Sequence, residues 1–277
     1  MSMKIAYQGE PGANSHIACM DACPDYEPLP CATFEDALAA IADGTAELGM
    51  IPIENSLAGR VADIHHLIPQ TELHIIGEYF LPIHFQLLGN KGARLEDLKT
   101  VHSHIHALGQ CRNIIRRLGL VPHVASDTAG SAREVRDSGD PTRASLATKL
   151  AGEIYGLDVL ADNVEDAAHN TTRFVILSKT PRIVERGSGM VLTTFLFRVR
   201  NVPAALYKAL GGFATNGVNM TKLESYMVNG EFTATQFLAD VEGHPEDPAV
   251  ARALEELSFF CAELRMLGTY PVAAWRA

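Results

Sequence analysis

The sequence predicts an α/β fold for residues 1–181 and a βαββαβ domain for residues 190–277. In the first region, short apolar runs alternate with helix-like segments, which is typical of mainly parallel sheets. In the second, the order strand-helix-strand-strand-helix-strand matches the ferredoxin-like motif. The length of 277 residues suits roughly two domains, and the charged, glycine-containing residues 182–189 are predicted to link them.

The first region is predicted to form two lobes. Its strands follow from five apolar runs: KIAYQG, ELGMIPI, TVHS, HVAS and FVIL. Its helices are predicted after Asn14, after Thr33, over Ser56–Ile68, through Cys111 to Leu118, and from Thr128 to about Asp137. Thr33 and Asp36 form a weak capping box, and Gly44 is placed to end that helix.

The two lobes are predicted to meet near residues 75–88 and 170–178, with a cleft between them. The stretch His74–Leu88 is predicted to be two extended pieces joined around Pro82. Such a cleft is a natural place for a small-molecule site.

The second region has clearer element boundaries. A strand over MVLTTFLFRVR precedes a helix over Ala204–Thr215 that ends near Gly217. The strands MTKLESYMV and FTATQFLADV are predicted to be joined through Asn229-Gly230, a dipeptide that favours a tight hairpin. A helix from about Pro248 to Phe260 and the strand ELRMLGTYPV complete the order.

Composition excludes several classes of function. Apolar residues make up 47% of the chain, and the formal net charge is −10. Neither half is basic and no polybasic cluster occurs, so we expect no nucleic acid and no membrane as partners. Five cysteines without a C-x-x-C pair indicate reduced thiols, and no signal peptide precedes the first strand, so a cytoplasmic location is expected.

Three predicted helices begin with short polar residues directly after a strand. These starts are Asn55-Ser56, Ser103-His104 and Ser126-Asp127-Thr128. Unpaired N–H groups at the positive end of a helix bind carboxylates or phosphates, and three such starts from two lobes would converge on one polyanion. The alternative is ordinary capping, because Ser, Thr and Asn cap helices in all kinds of protein.

Two further segments carry candidate chemical groups. Glu54 ends an apolar strand, where desolvation would suit a proton donor, or else its side chain points to water. In the segment Asn170–Phe174, Arg173 is able to fork onto a carboxylate and a threonine hydroxyl to donate a hydrogen bond. The alternative for this segment is a polar strand start with an ordinary surface arginine.

No metal or cofactor is predicted. His102, His104 and His106 would share one face of an extended strand, as zinc ligands do, but a helix predicted to start there separates them. Phosphate-loop, G-x-S-x-G and H-E-x-x-H patterns do not occur. Nucleotides, flavins and metals therefore have no support in the sequence.

Six motifs occur in the order found in one enzyme family: YQGEPGANSH, IPIENS, SHIHALGQC, DTAGSA, ASLATKLAGEIYGL and NTTRF. The chain resembles monofunctional prephenate dehydratases, and its tail, with NVPAAL and NMTKLES, resembles their regulatory ACT domain. The resemblance implies a bilobed catalytic domain like the type II periplasmic-binding proteins. It also implies conversion of prephenate to phenylpyruvate, carbon dioxide and water, without a cofactor.

The resemblance also implies residue roles. Thr172 takes the catalytic position of the family motif, and Glu54, if protonated, is our candidate for a stronger acid behind it. The expected substrate-binding residues come from the cleft motifs and the helix starts: Asn55, Ser56, Ser103, Gln110, Thr128 and Arg173. His106 stands where the family commonly has another polar residue.

The ACT resemblance implies regulation and assembly. Phenylalanine is expected to bind at ACT–ACT interfaces of a homodimer or homotetramer and to lower activity. The expected effector-binding residues are Ala204, Ala205, Leu206, Asn219, Glu224 and Ser225. Ala204 replaces a usual glycine and Tyr226-Met227 replaces a frequent Arg-Pro, and both changes are expected to weaken effector binding.

Two other functions stay open at this point. An arogenate dehydratase would carry out the same chemistry on the transaminated substrate. A non-catalytic bilobed amino-acid sensor would keep the two lobes and the ACT domain, although Thr172-Arg173 argues against it.

Overall fold

The structure is a computed structural model that describes residues 2–182, 184–200, 202–227 and 234–276. The chain divides into two compact units. Unit 1 contains Met1–Ile64 and Tyr79–Phe174, and unit 2 contains His65–Glu78 and Val175–Ala277. The boundaries 1–181, 182–189 and 190–277 stay a prediction.

Strands and helices alternate through most of the described residues. The strands are β1 Lys4–Gln8, β2 Glu27–Cys31, β3 Leu48–Asn55, β4 Gly59–Arg60, β5 His74–Pro82, β6 Gln86–Gly89, β7 Thr100–Ser103, β8 Val121–Val124, β9 Arg143–Ala147, β10 Asp158–Ala161, β11 Thr171–Ser178, β12 Val191–Val199, β13 Met220–Met227, β14 Ala234–Glu242 and β15 Cys261–Pro271. The α-helices are α1 Asn14–Ala22, α2 Phe34–Asp43, α3 Ala62–Leu67, α4 Ile105–Gln110, α5 Arg112–Arg117, α6 Thr128–Ser138, α7 Lys149–Tyr155, α8 Ala205–Thr215 and α9 Pro248–Phe260.

These strands form three sheets. The first has the order β2-β1-β3-β11-β5, with β4 paired to β3, and β1 runs parallel to both of its neighbours. The second has the order β10-β6-β9-β7-β8 and mixes parallel and antiparallel pairs. The third is antiparallel, with the order β13-β14-β12-β15. The predicted α/β class and the βαββαβ order of the C-terminal region are confirmed.

Local sequence signals account for several helix ends. The Thr33 hydroxyl accepts from the Asp36 N–H, the Asp36 carboxylate accepts from the Thr33 N–H, and Gly44 ends α2 in the left-handed conformation. The capping box and stop predicted for this helix are therefore confirmed. Helix α6 begins at Thr128 as predicted, with Asp127 as its N-cap.

The helix predicted over Ser56–Ile68 is wrong in its first turns, because helix α3 begins only at Ala62. The Asn55 side-chain oxygen accepts from the Leu57 and Ala58 N–H groups, which holds a tight turn instead. Gly59 follows with φ 80° and leads into the short strand β4.

Smaller differences concern the part of unit 1 built on the second sheet, which we call the second lobe; the part of unit 1 built on the first sheet is the first lobe. The predicted helix through Cys111 is two short helices, α4 and α5, that meet at Cys111. The strand predicted at HVAS is β8, which runs two residues earlier. The predicted Asn229-Gly230 turn lies outside the described residues.

The loop after β1, in the first lobe of unit 1, contacts helix α7 of the second lobe. Gly12 has φ 93°, and a Cβ there would lie 2.7 Å from Ala151 Cα. The Thr148 hydroxyl donates to the Gly12 carbonyl, and the Tyr155 hydroxyl donates to the Pro11 carbonyl. The motif YQGEPGANSH thus includes an interlobe contact that requires glycine at position 12.

In unit 2, residues 65–78 pack against the four-stranded sheet. Arg265 Nη1 donates to the Thr71 carbonyl at 2.9 Å, and a Cβ at Gly268 would overlap the backbone of Ile75. His65 Nδ1 lies 2.5 Å from the Tyr226 hydroxyl oxygen. The other face of the sheet packs on α8 and α9 through a core that includes Phe195, Phe213, Ala239 and Leu257. Both faces of the sheet are therefore covered within unit 2.

Candidate active site

Four side chains of unit 1 form a hydrogen-bonded group, which we call the amide–threonine cluster: Asn55, Gln110, Asn170 and Thr172. Asn55 Nδ2 donates to Asn170 Oδ1 at 2.8 Å and to Thr172 Oγ1 at 2.9 Å. Asn170 Nδ2 donates to Gln110 Oε1 at 2.8 Å. Asn55 ends β3, Thr172 lies near the start of β11, and Gln110 ends α4. The two lobes of unit 1 thus both contribute to the cluster.

The cluster fixes the role of the Thr172 hydroxyl. Both hydrogens of the Asn55 amide nitrogen are used by Asn170 and Thr172, and its oxygen is held by the Leu57 and Ala58 N–H groups. The amide therefore has one orientation, in which the Thr172 oxygen accepts. Because a hydroxyl both accepts and donates, the Thr172 proton is directed to another partner.

Glu54 and Arg173, the neighbours of Asn55 and Thr172 in sequence, form an ion pair. Arg173 Nη1 donates to Glu54 Oε1 at 2.8 Å, and the side chains are 2% and 33% exposed, respectively. Successive side chains of a strand point to opposite faces. Glu54 and Arg173 thus lie on the face of β3 and β11 opposite to the amide–threonine cluster.

This geometry weighs against two of the sequence-based roles. A carboxylate 2.8 Å from a buried guanidinium is stabilised in its ionised form, so Glu54 is a poor proton donor here. Arg173 is already paired and almost inaccessible, which does not suit an open carboxylate anchor. Both roles stay untested predictions, and the geometry favours positioning for this pair.

The three predicted helix starts do not form a set of open anion sites. Ser56 precedes a turn rather than a helix, and its hydroxyl donates to the His169 carbonyl. Ser103 is completely buried and donates to the Leu146 carbonyl. Thr128 begins α6, but the Asp127 carboxylate accepts from the Gly130 N–H at 2.6 Å. An anion at α6 would therefore meet an acidic side chain already in place.

The sequence did not single out Asn170, although it is central to the cluster and only 2% exposed. Its spacing from Thr172 could have indicated it, because residues two positions apart share one face of an extended segment. Its contact with Asn55 could not be predicted from spacing, because it depends on how the strands are arranged in the sheet.

The predicted separation of the three histidines holds only in part, because the rings of His104 and His106 lie 5.0 Å apart whereas the His102 ring stacks on that of His123. His102 lies in β7, where its Nε2 accepts from Arg143 Nε, and burial lowers its pKa to about 4. His104 is the N-cap of α4, and burial lowers its pKa as well. Within the described part of the chain, no group of three or more His, Cys, Asp or Glu side chains is arranged to hold a metal ion.

The predicted effector residues are divided between the two faces of the C-terminal sheet. Ser225 pairs with Phe237 of the core packed on α8 and α9, and Leu206 packs on the same core. Glu224 points to the other face, where it lies 3.4 Å from Lys222. Asn219 is exposed, and its carbonyl accepts from the Glu242 N–H.

Ala204 has φ 61°, a left-handed conformation that glycine adopts without strain. The Ala205 N–H donates to the Val202 carbonyl, so it is not a free donor for an amino-acid carboxylate.

Comparison with known proteins places the chain among dehydratases, the lyases that remove water from a substrate. The sequence model of the family "Prephenate dehydratase" matches residues 5–182, and the chain belongs to that family.

Three relatives illustrate the similarity. A "Bifunctional N-acyl-homoserine lactone acylase/prephenate dehydratase" of Komagataeibacter europaeus is 54% identical over 98% of this chain and 97% of its own. An "Arogenate dehydratase/prephenate dehydratase 2, chloroplastic" of Arabidopsis thaliana is 36% identical over 98% of this chain and 73% of its own. The crystal structure of a prephenate dehydratase from Arthrobacter aurescens in complex with L-Phe is 31% identical, with a TM-score of 0.89 over 97% of this chain and 90% of that one.

Among the described residues, no helix is long and apolar enough to span a membrane.

Proposed function

We propose that the chain converts prephenate to phenylpyruvate, carbon dioxide and water, and that Thr172 acts on the leaving hydroxyl group. The observation that carries this role is the hydrogen bond from Asn55 to Thr172 Oγ1, which directs the threonine proton away from the cluster. Family membership supplies the reaction class, and Thr172 is the second threonine of the motif NTTRF.

The reaction needs orientation and help for one leaving group. The bond from the ring to its carboxylate breaks, and its electron pair enters the ring while the carbon–oxygen bond of the hydroxyl breaks. The Thr172 hydroxyl donates a hydrogen bond to the leaving oxygen, which takes up one proton supplied by the solvent and departs as water. Formation of the aromatic ring drives both cleavages, so no electron sink is required. General acid assistance of this kind contributes roughly 10²–10⁴-fold.

In this proposal the other cluster residues position Thr172. Asn55 holds the threonine oxygen as an acceptor, Asn170 accepts from the Asn55 amide, and Gln110 of the second lobe accepts from Asn170. The Glu54–Arg173 ion pair fixes β3 against β11 from the opposite face. Ser56 keeps the same two segments together, because its hydroxyl bonds to the His169 carbonyl and the Thr171 N–H.

Phenylalanine is the proposed effector, bound by the C-terminal unit of an oligomer. The Arthrobacter aurescens relative is named as a complex with L-Phe. Strands β13 and β15 are the edges of the four-stranded sheet, and sheet edges pair readily with a second copy. Ala204, Ala205, Leu206, Asn219 and Ser225 are the effector residues we retain, whereas Glu224 points to the other face. Light scattering showing a concentration-independent monomer would refute the assembly.

Two other activities have specific support in the names of relatives. The Arabidopsis thaliana relative is named for arogenate as well as prephenate, and the Komagataeibacter europaeus relative for an N-acyl-homoserine lactone acylase. An acylase that used Thr172 as a nucleophile would need a base to take its proton. The partner found at Thr172 is an amide N–H, which donates and does not accept. This geometry favours the dehydratase.

One assay separates these activities. Purified protein is given prephenate, arogenate or an N-acyl-homoserine lactone, and formation of phenylpyruvate, phenylalanine or free homoserine lactone is followed. We expect phenylpyruvate from prephenate with the highest kcat/KM. A higher kcat/KM for arogenate or for the lactone would overturn the proposed substrate.

A further inference from the structure

Prephenate carries two carboxylates, and a chain of net charge −10 repels it unless positive groups stand close to the site. The groups expected from the sequence do not fill this need. Arg173 is buried against Glu54, and the start of α6 lies beside the Asp127 carboxylate. Another source of positive charge near the amide–threonine cluster is therefore required.

A cavity of about 750 Å³ begins at Gln110, the cluster residue contributed by α4. Its apolar lining includes Leu57, Ile105 and Val124, which are 40%, 54% and 66% exposed. Leu57 lies within the turn held by Asn55. The cavity thus adjoins the cluster at the Gln110 side chain and at the turn that contains Leu57. Its apolar surface suits a carbon ring.

Two arginines of helix α5 line the same cavity. Arg112 and Arg116 are exposed and stand four residues apart, so they share one face of the helix. Within the described part of the chain, neither guanidinium group makes a hydrogen bond or ion pair. Gly109 lies beside one of these side chains, because a Cβ there would be in ordinary contact with Arg112 Nη2 at 3.9 Å.

The acidic residues that line the cavity are already bonded to other groups. Glu165 accepts from the Phe85 N–H and lies 2.7 Å from His84 Nδ1. Asp166 accepts from the backbone N–H groups of Arg112 and Asn113 at the start of α5. Neither carboxylate is bonded to an arginine side chain, so both guanidinium groups are available to an anion.

We propose that Arg112 and Arg116 together bind the side-chain carboxylate of prephenate, the one that the product phenylpyruvate keeps. The assignment rests on the proposed function. A guanidinium fork matches the geometry of a carboxylate, and both arginines present such a fork to the cavity. The ring carboxylate must lose its charge during the reaction, and a strong cationic partner would hold that charge in place and slow the step. The retained carboxylate has no such conflict.

The test compares four purified proteins: wild type, Arg112→Gln, Arg116→Gln and the control Arg117→Gln. Arg117 lies on the same helix and carries the same charge, but does not line the cavity. For each protein, KM and kcat are measured with prephenate, and Ki is measured with phenylpyruvate as inhibitor. Thermal unfolding shows that each variant is folded, and Arg112→Lys tests the requirement for the planar fork.

We expect Arg112→Gln and Arg116→Gln each to raise KM about tenfold and to raise Ki for phenylpyruvate by a similar factor, with kcat nearly unchanged. Arg117→Gln should leave both constants near wild type, and Arg112→Lys should fall in between. An unchanged KM in active, folded variants would overturn the assignment, and so would a raised KM with an unchanged Ki. An equal rise of KM in Arg117→Gln would also overturn it, because the effect would then come from the overall positive charge of the helix and not from contact in the cavity. A wild-type protein without activity on prephenate would overturn the proposed function, and this assignment with it.

Discussion

The two faces of strands β3 and β11 carry different kinds of interaction. On one face, Asn55 and Thr172 belong to a network of neutral amides and a hydroxyl. On the other face, Glu54 and Arg173 form an ion pair with a nearly inaccessible guanidinium. The residues alternate in sequence, so each of the motifs IPIENS and NTTRF contributes to both faces.

The difference shows that adjacent motif residues need not share a function. A neutral network orients a hydroxyl without holding charge, which suits a proton donor to a leaving group. An ion pair that links two strands holds them in register, and its loss takes a charged partner away from a buried guanidinium. We therefore expect changes on the first face to lower turnover, and changes on the second to lower stability.

The largest expected effect is that of Thr172→Val, which removes the hydroxyl and keeps the shape. We expect kcat for prephenate to fall by roughly 10²–10⁴-fold, the scale of a lost general acid, while KM and the melting temperature change little. Thr172→Ser keeps the hydroxyl and should retain much of the activity. Steady-state kinetics with all three proteins checks this.

Thr171→Val is the matched control, because Thr171 is the same residue type on the opposite face of β11. Its kcat should stay close to the wild-type value. If both valine variants lost turnover equally, the distinction between the two faces would be lost.

Asn55→Asp tests the direction of the hydrogen bond to Thr172. A carboxylate oxygen in place of Nδ2 accepts the threonine proton instead of donating to the oxygen. We expect kcat to fall at least about tenfold, because the proton is then withheld from the leaving group. We would measure kcat at a temperature well below the one at which the variant unfolds. A turnover equal to wild type would show that the Thr172 proton is not used.

The smallest expected effect concerns backbone strain, away from both faces. Ala204→Gly removes the Cβ from a residue with φ 61° and should raise the free energy of unfolding by about 1 kcal/mol. Ala205→Gly, one residue later in α8, should instead lower it by roughly 0.5–1 kcal/mol. Urea denaturation measures both, and shifts of the same sign would contradict the strain at Ala204.

The sequence was sufficient for features set by local chemistry. The capping box at Thr33, the start of α6 at Thr128 and the βαββαβ order were all predicted from residue types and spacing. Strand β9 and helix α7 were not predicted as elements, although their sequence lies in the motif ASLATKLAGEIYGL. A short buried strand followed by a short helix has little periodicity of its own.

The remaining features depend on side chains that compete for backbone N–H groups and on contacts between distant segments. After Asn55, side-chain hydrogen bonds to two backbone N–H groups favour a turn over the expected helix. The role of Arg173 as an anchor for a ligand stays a prediction; the sequence alone could not show that its almost inaccessible guanidinium pairs with Glu54. The packing of residues 65–78 on the C-terminal sheet had no local signal, because it depends on contacts between distant segments.

That packing also changes how regulation should be tested. Deletion of residues 190–277 would expose Leu73 and Ile75 and remove the partner of the Thr71 carbonyl. A truncated protein would therefore report on stability as well as on regulation. Calorimetry of phenylalanine with the full chain is the cleaner experiment, and the absence of binding at millimolar ligand would contradict the effector proposal.

The central claim, that the two faces of β3 and β11 have different functions, is tested most directly by Glu54→Gln beside Thr172→Val. For each protein, kcat with prephenate and the free energy of unfolding are measured under the same conditions. We predict that Glu54→Gln lowers the free energy of unfolding by about 1–3 kcal/mol and leaves kcat within a few-fold of wild type. Thr172→Val should show the reverse. A Glu54→Gln protein with unchanged stability and a kcat as low as that of Thr172→Val would contradict the account and identify Glu54 as a catalytic acid.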